Sequence, residues 1–384
     1  MKKILILHNN YRNFGGEDSN LENEISFLNK HYIVEKMIVT NPINLNLKTI
    51  VSLFFLSNAD SNKQLKNKIN EFKPDLAYVH NTWFMLSLGI FKILKKEKIK
   101  TVIKIHNFRY RCAISIFKKN HLMGESFCKS CNFNVKDTLF FNKYFHESYL
   151  KSLFVIYYSK KYLKILENTN CHIFSISQFH KDKILEMGIQ TNKVKLFPNP
   201  FDMPLKNNYN SNSNYIVYAG RITKEKGLDE LLSSWVSSNL DGIGLKIIGT
   251  GEILNQLVSK YDHKNIEFLG ELENKHVLEM IKNSRAVVTA TKMYEGHSRL
   301  LTEASSFGIP AIFPKFGSMI EFFPKDYQLS FEQYNYKSLT QKLIKLADKK
   351  LLEELSLTSF NYINEKLNQN VLISQFNQVL DYEK

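Results

Sequence analysis

The sequence predicts an α/β protein built from two Rossmann-like, doubly wound domains, and three observations predict it. Its 384 residues exceed one ordinary core and suit two domains of about 150 to 200 residues each. Short apolar runs alternate with longer amphipathic segments in both halves, which is the pattern of βαβ units and parallel sheets. Between the halves, PNPFDMPLKNNYNSNSN at 198 to 214 is rich in Pro, Asn and Ser and has no hydrophobic period, as a linker does.

The first half opens with KILILH, whose apolar stretch is too short for a signal peptide and lacks a small-residue cleavage site, so it reads as a strand. Helix LENEISFLNK, strand DLAYVH, helix LSLGIFKILKKEK and strand TVIKIH follow. The second half runs NYIVYAG, GLDELLSSWV, LKIIGT, ILNQLVSKY, IEFLG, HVLEMIKN, RAVVTAT and, later, IPAIFP, strand and helix in turn. From Lys337 onward the pattern is helical as far as Tyr382. The expected domains are 1–198 and 199–365, with a terminal helix at 366–384 packing back toward the first.

Composition excludes some classes. The most apolar runs, IVSLFFL at 50 to 56 and LFVIYY at 153 to 158, fall far short of the roughly 18 residues of a membrane span. Four cysteines in 384 residues make no disulfide scaffold, and a reducing cytoplasm is the simplest expected location. The net charge of +15 is uneven: residues 1–200 hold 31 Lys and Arg against 15 acids, residues 201–384 hold 21 against 22. The basic half suits an anionic partner such as a membrane face, a phosphorylated lipid or nucleic acid. No nucleic-acid-binding module is recognisable in it, so nucleic acid is not an expected partner.

The chemistry in the second half gathers where strands end. MYEGHSRLLTEASSFGIP at 293 to 310 leaves the strand RAVVTAT and enters a helix expected from near Arg299 to Phe307, with Ser298 as its N-cap and Gly308 and Pro310 as its stop. Glu295 then sits in the loop and Glu303 on the helix. In open α/β sheets ligands bind at the carboxyl ends of strands, and free N–H groups at a helix start suit a phosphate. The two carboxylates suit hydrogen bonds from sugar hydroxyls. YAGRITKEKG at 218 to 227 brings Arg221 and Lys226 to another strand end, where cations can hold a pyrophosphate and stabilise it as a leaving group. KIIGTGE at 246 to 252 adds Gly249 and Gly251, where backbone can approach a nucleotide.

Together FGGED at 14 to 18, GRITKEKG at 220 to 227, GTGE at 249 to 252 and the Glu295–Glu303 pair before Ala304 and GIP resemble the retaining glycosyltransferases of family four. The motifs run in order through nearly the whole chain. The resemblance implies the GT-B fold, two Rossmann-like domains facing across a cleft, and no catalytic metal; the chain has no Asp-x-Asp. It implies that Arg221 and Lys226 bind the donor diphosphate, Glu303 the ribose and Glu295 the transferred sugar. Gly220, Gly249, Gly251, Gly296, His297, Ser298, Arg299 and Leu300 would complete the donor site, with Gly15 and Gly16 facing it from the first domain. His297 and Ser298 stand where many relatives have Phe and Gly, and Gly317-Ser318 where they often have Gly-Gly before the acid, here Glu321. These departures bear on which sugar is moved, not on the reaction type.

In the first half, VIKIHNFRYRC places His106 at a strand end, followed by Asn107 and Arg109, and the resemblance assigns His106 a role beside the reacting sugar. Glu17, His80, Asn81, Trp83, Asn107 and Arg109 are the expected acceptor-binding residues. Cys112, Cys128 and Cys131 form C-x15-C-x2-C, a candidate structural zinc knuckle, with His121 and His146 as candidate fourth ligands. YLKSLFVIYYSKKYLK at 149 to 164 is either a basic amphipathic helix resting on an anionic membrane or a core helix with a solvated lysine edge.

The expected function is retaining transfer of a sugar from a UDP- or GDP-sugar to a hydroxyl of a glycan or lipid-linked acceptor, without a cofactor. The Lys, Asn and Ile-rich composition suits an AT-rich bacterial genome and thus surface polysaccharide assembly, capsule or lipopolysaccharide. An epimerase or hydrolase of nucleotide sugars with the same fold is the alternative, and a nucleic-acid binder a remote one.

Overall fold

The computed structural model describes residues 1–10, 16–42, 47–108, 110, 148–168, 171–204 and 208–381. It divides into two compact units, Met1–Pro200 with Gln369–Lys384, and Phe201–Asn368. The division falls two residues beyond the expected 198, and the second unit runs on to Asn368 rather than 365.

The first unit is a six-stranded parallel sheet in the order β2-β1-β3-β4-β5-β6. Its strands are β1 (Lys3–Asn10), β2 (Ile33–Thr40), β3 (Leu76–Val79), β4 (Lys100–Ile105), β5 (His172–Ser175) and β6 (Val194–Leu196). Ile4 to Leu7 are fully buried, since helices cover both faces of a parallel sheet and leave no room for polar alternation. The helices are α1 (Gly16–Asn29), α2 (Leu47–Phe55), α3 (Ala59–Phe72), α4 (Ile90–Lys96), α5 (Tyr149–Asn168) and α6 (Gln178–Leu185). Asn58 starts α3 by accepting from the amides of Asp60 and Ser61, and Ser177 starts α6 by accepting from that of His180.

A last helix, α13 (Gln369–Leu380), belongs to this unit although the whole second unit precedes it in the chain. Its Leu372, Phe376, Val379 and Leu380 share a core with Ile4, Ile6, Tyr78, Phe174 and Phe197. Phe376 lies 5.5 Å from Tyr78 and 5.6 Å from Phe197 between ring centroids. Tyr32 donates to Asn377 at 2.6 Å.

The second unit is also a six-stranded parallel sheet, ordered β12-β11-β10-β7-β8-β9. It comprises β7 (Tyr215–Ala219), β8 (Gly244–Ile248), β9 (Ile266–Gly270), β10 (Ala286–Val288), β11 (Ala311–Pro314) and β12 (Ser330–Phe331). Its helices are α7 (Leu228–Ser238), α8 (Leu254–Lys260), α9 (Asn274–Lys282), α10 (Arg299–Ser306), α11 (Tyr336–Ile344) and α12 (Lys349–Lys366). Counted within the unit this is the Rossmann order 3-2-1-4-5-6, which reverses between β7 and β10. Val217 of β7 pairs with Val287 of β10, so the loops leaving both strands open on one crevice.

The segment read as a linker is tied down in its later part. Tyr209 donates to the carbonyl of Arg285 at 2.7 Å and Ser211 to Glu353 at 2.6 Å, both within the second unit. Among the described residues no helix is long and apolar enough to cross a membrane.

Candidate active site

In the second unit the loops after β7 and β10 are bonded to each other. The amide of Lys292 donates to the carbonyl of Glu225 at 2.9 Å. Gly227 sits at φ +68°, where a Cβ would lie 2.1 Å from the carbonyl oxygen of Ala290. This contact brings Lys226, at the end of a 3-10 turn, to Glu295 across 69 residues of sequence: Nζ donates to Oε1 at 2.6 Å. Both side chains are about one-fifth exposed, so the pair borders solvent. Thr291 donates to the same Glu295 oxygen at 3.4 Å, and Ser318 donates to the Glu295 carbonyl at 2.5 Å. These two hydroxyls fix the acid's place; Thr291 was not singled out from the sequence, and Ser318 was noted only as a departure from the resembled family. Arg221 is exposed, and its carbonyl accepts from the Tyr218 hydroxyl at 2.9 Å.

Gly249 and Gly251 also have a reason internal to the fold. A Cβ on Gly249, at φ +133°, would lie 2.0 Å from the carbonyl oxygen of Gly220. One on Gly251 would lie 2.2 Å from that of Ile222. The loops after β7 and β8 thus approach each other backbone to backbone, with Gly220 donating to Ile248 at 3.0 Å and Ile222 to Thr250 at 2.8 Å. Here glycine is demanded by the neighbouring loop.

α10 covers Arg299–Ser306, one residue short of the expected end. Ser298 stands at the N-cap position with extended backbone, but its side chain makes no capping bond; its carbonyl instead accepts from the amide and the hydroxyl of Thr302, both at 3.0 Å. Glu303 is buried, and Arg299, one turn before it, donates to its Oε1 at 2.5 Å. Burial raises the Glu303 pKa above the ordinary carboxylate value, with the Arg299 charge opposing the rise. Arg299 also donates to Asn274 at 2.6 Å. His297 lies edge-on to Phe322 at 4.6 Å between ring centroids and 3.4 Å from the Thr302 hydroxyl. Gly296 is buried between Glu295 and His297, and Leu300 is buried in the first turn of α10.

In the first unit a pocket opens at the ends of β3 and β4, lined by His80, Trp83, His106, Asn107, Tyr158 and Tyr162 among others. His80 Nδ1 and His106 Nε2 are 2.9 Å apart. Trp83 meets Tyr158 edge-on at 4.5 Å, and Tyr158 bonds Thr82 at 2.6 Å. Tyr158 and Tyr162 come from α5, which buries Val155, Ile156, Tyr158 and Tyr162 while leaving Lys151, Lys160, Lys161 and Lys164 exposed. Asn81 also lines the pocket, while its amide nitrogen donates to the Asn9 carbonyl at 2.7 Å and its oxygen accepts from the Trp83 amide at 3.0 Å. Glu17 lies in the first turn of α1, and Gly16 already belongs to that helix instead of to the loop before it. Gly15, Arg109, Cys112, Cys128 and Cys131 lie outside the described residues, as do His121 and His146.

Beneath the pocket lies a buried polar cluster that the sequence did not announce. Lys104 of β4 is fully buried and donates to Glu24 of α1 at 2.7 Å, while the Tyr78 hydroxyl donates to the other Glu24 oxygen at 2.5 Å. Lys104 also stands over the Phe197 ring at 4.6 Å. His8 of β1 bonds Asp18 of α1 at 3.1 Å. Burial lowers the Lys104 pKa and raises that of Tyr78, Glu24 opposing the first shift and adding to the second. The only signal in the sequence was Lys104 inside the apolar run TVIKIH.

Two Rossmann-like units, each with a six-stranded parallel sheet and the second with a cation and a carboxylate joined at its switch point, have the architecture of the GT-B class. HepE of Anabaena, solved in complex with UDP-glucose, matches 99% of this chain and 100% of its own with a TM-score of 0.68 at 14% identity. A sucrose-phosphate synthase from Thermosynechococcus elongatus matches 99% of this chain and 98% of its own, with a TM-score of 0.71 at 12% identity. At such identities the likeness is one of fold. Residues 202–359, within the second unit, match the glycosyl transferases group 1 family. The amylovoran biosynthesis glycosyltransferase AmsD of Erwinia amylovora is 32% identical over 101 residues, 26% of this chain and 28% of that protein. The chain thus matches little more than a quarter of that relative's length. The expected fold class and family are both borne out.

Proposed function

We propose that the protein is a retaining, metal-independent glycosyltransferase that moves a sugar from a UDP-sugar to a hydroxyl of a glycan or lipid-linked acceptor in bacterial surface polysaccharide assembly. The observation that carries this reading is the Lys226–Glu295 pair, 2.6 Å apart at the switch point of a group 1 unit. HepE was solved with UDP and with UDP-glucose, and AmsD is a glycosyltransferase of amylovoran biosynthesis, which supports the donor and the pathway.

The pair is built to exchange partners. An ion pair that borders solvent contributes little stability, so a donor can part it cheaply. Lys226 and Arg221 then turn to the diphosphate, whose charge grows as the glycosidic bond breaks, and attraction that grows toward the transition state accelerates the step. Glu295, held by Thr291 and Ser318, accepts hydrogen bonds from the sugar hydroxyls. The first-turn amides of α10 face the phosphates, and Glu303 accepts from the ribose through the oxygen that Arg299 leaves open. The acceptor binds the first unit, where Trp83 offers an aromatic face and the leaving phosphate takes the acceptor's proton.

Incubation with a panel of UDP-sugars and acceptors, followed by NMR of the product, tests this. Transfer with the donor's anomeric configuration kept is the expected result. An inverted product overturns the retaining mechanism, and consumption of the nucleotide sugar without any acceptor favours the epimerase or hydrolase reading.

A lipid-linked acceptor also places the enzyme at an anionic membrane face. α5 supports that reading, since Tyr149, Leu150, Leu153 and Tyr157 are exposed beside its four exposed lysines. Flotation with anionic vesicles at low salt, lost as salt rises, is the expected outcome; no flotation even at low salt rejects it.

A further inference from the structure

The second unit brings together the two places where the chain departs from the resembled family, His297-Ser298 and Gly317-Ser318. The meeting point is the 3-10 turn Gly317–Phe322, which follows β11. Its Ser318 is fully buried and donates to the Glu295 carbonyl at 2.5 Å, and its Phe322 meets the His297 ring edge-on at 4.6 Å between centroids. Both flanks of Gly296 therefore rest on one turn.

The turn is itself anchored. Met319 and Phe322 belong to the core of the unit, and the Glu321 carbonyl accepts from Lys366 at 2.5 Å and from Tyr362 at 3.3 Å, both on α12. Gly317, at φ +60°, supplies the left-handed backbone that starts the turn. A hydroxyl on such a base is a fixed donor.

What that donor fixes follows from peptide geometry. The Glu295–Gly296 peptide is trans, and a trans peptide is planar with its C=O and N–H pointing opposite ways. Holding the Glu295 carbonyl toward Ser318 thus turns the Gly296 N–H away from it. In the sheet order β11-β10-β7, Ser318 follows β11, Gly296 follows β10 and Lys226 follows β7. The amide is directed from the β11 side toward the side of Lys226, across the switch point. Gly296 is buried, and its amide has no protein partner among the described residues. An amide in that position is completed by water or by a ligand.

We propose that Ser318 is a positioning residue for the donor: by holding the Glu295 carbonyl it sets the Glu295–Gly296 peptide plane so that the Gly296 N–H donates to a diphosphate oxygen of the nucleotide sugar. This rests on the donor reading above. Ser318 acts through the peptide, while Lys226 supplies charge from the other side of the crevice. The second glycine that relatives often carry has no hydroxyl, so the serine adds a tether to this loop.

The test uses the full chain labelled with 13C-carbonyl glutamate and 15N-glycine. Glu295–Gly296 is the only Glu-Gly step in the sequence, so one signal reports both ends of that peptide. On adding UDP to the wild type, the Gly296 amide proton should move downfield as it bonds a charged oxygen. In ligand-free Ser318→Ala the Glu295 carbonyl carbon should move upfield, as a carbonyl that has lost a donor does. With saturating UDP the Gly296 proton of the variant should move less than that of the wild type. UDP affinity should fall about tenfold, the scale of one charge-assisted hydrogen bond held out of line. A Gly296 signal that UDP leaves in place while other glycines respond overturns the proposal. So does a Glu295 carbonyl shift equal in both forms, or an alanine variant that binds UDP as tightly as the wild type. If the alanine variant fails to fold, Ser318→Gly carries the same comparison. If no glycine of any form responds to UDP, the donor reading fails, while the carbonyl shift still decides whether Ser318 holds the peptide.

Discussion

Lys226→Ala should lower kcat by about 10² to 10³-fold, the cost of removing one preorganised donor from a developing negative charge. The protein should stay folded, because the pair it breaks is one-fifth exposed on both sides and surface ion pairs contribute about 0 to 1 kcal/mol. Glu295 loses its partner in the variant but keeps Thr291 and the hold of Ser318 on its carbonyl, so the loop after β10 retains its anchor. Initial rates with a turned-over UDP-sugar, beside thermal unfolding of both forms, check this. Near-normal turnover in a folded variant would remove Lys226 from the machinery.

Glu24→Leu should destabilise the first unit by about 3 to 5 kcal/mol, because it leaves the buried Lys104 ammonium without its carboxylate partner. The double variant Glu24→Leu/Lys104→Met should recover most of that loss, since a well-packed apolar pair of similar volume often replaces a buried ion pair at no cost. The penalty of the single change should also shrink as pH rises. Burial lowers the Lys104 pKa and Glu24 opposes that shift, so without Glu24 the lysine folds neutral more readily at high pH than at low. Urea unfolding of the three forms at two pH values measures both effects; a single variant as stable as the wild type would mean that the buried charge is not a real burden.

What the sequence made legible was whatever leaves a local period. Alternating apolar runs revealed both sheets, and strand-end position marked Lys226, Glu295 and His106 as residues facing a crevice. Long-range pairing left no such trace: nothing local joins Lys226 to Glu295, which a glycine packed under Ala290 brings together. Lys104 was hidden because a lysine in an apolar strand reads as an edge residue until its carboxylate is found on α1. The bonds that tie Asn81 to Asn9 and to the Trp83 amide were equally invisible, since the first spans 72 residues of sequence. Gly249 and Gly251 reproduce a ligand-binding pattern for a reason internal to the fold. The Ser298 cap failed because its geometry was met by the backbone while the side chain found no amide.

The return of α13 to the first unit has a consequence for synthesis. Chains emerge from the N-terminus, and a first domain ordinarily completes its core before the next is made. Here Leu372 and Phe376, which seal Ile4, Ile6, Phe174 and Phe197, are translated only after all of Phe201–Asn368. The second unit is continuous and can close on itself first, while the earlier-born sheet waits with one face unsealed. Its apolar strands are exposed for that interval, so the order of maturation is the reverse of the order of birth.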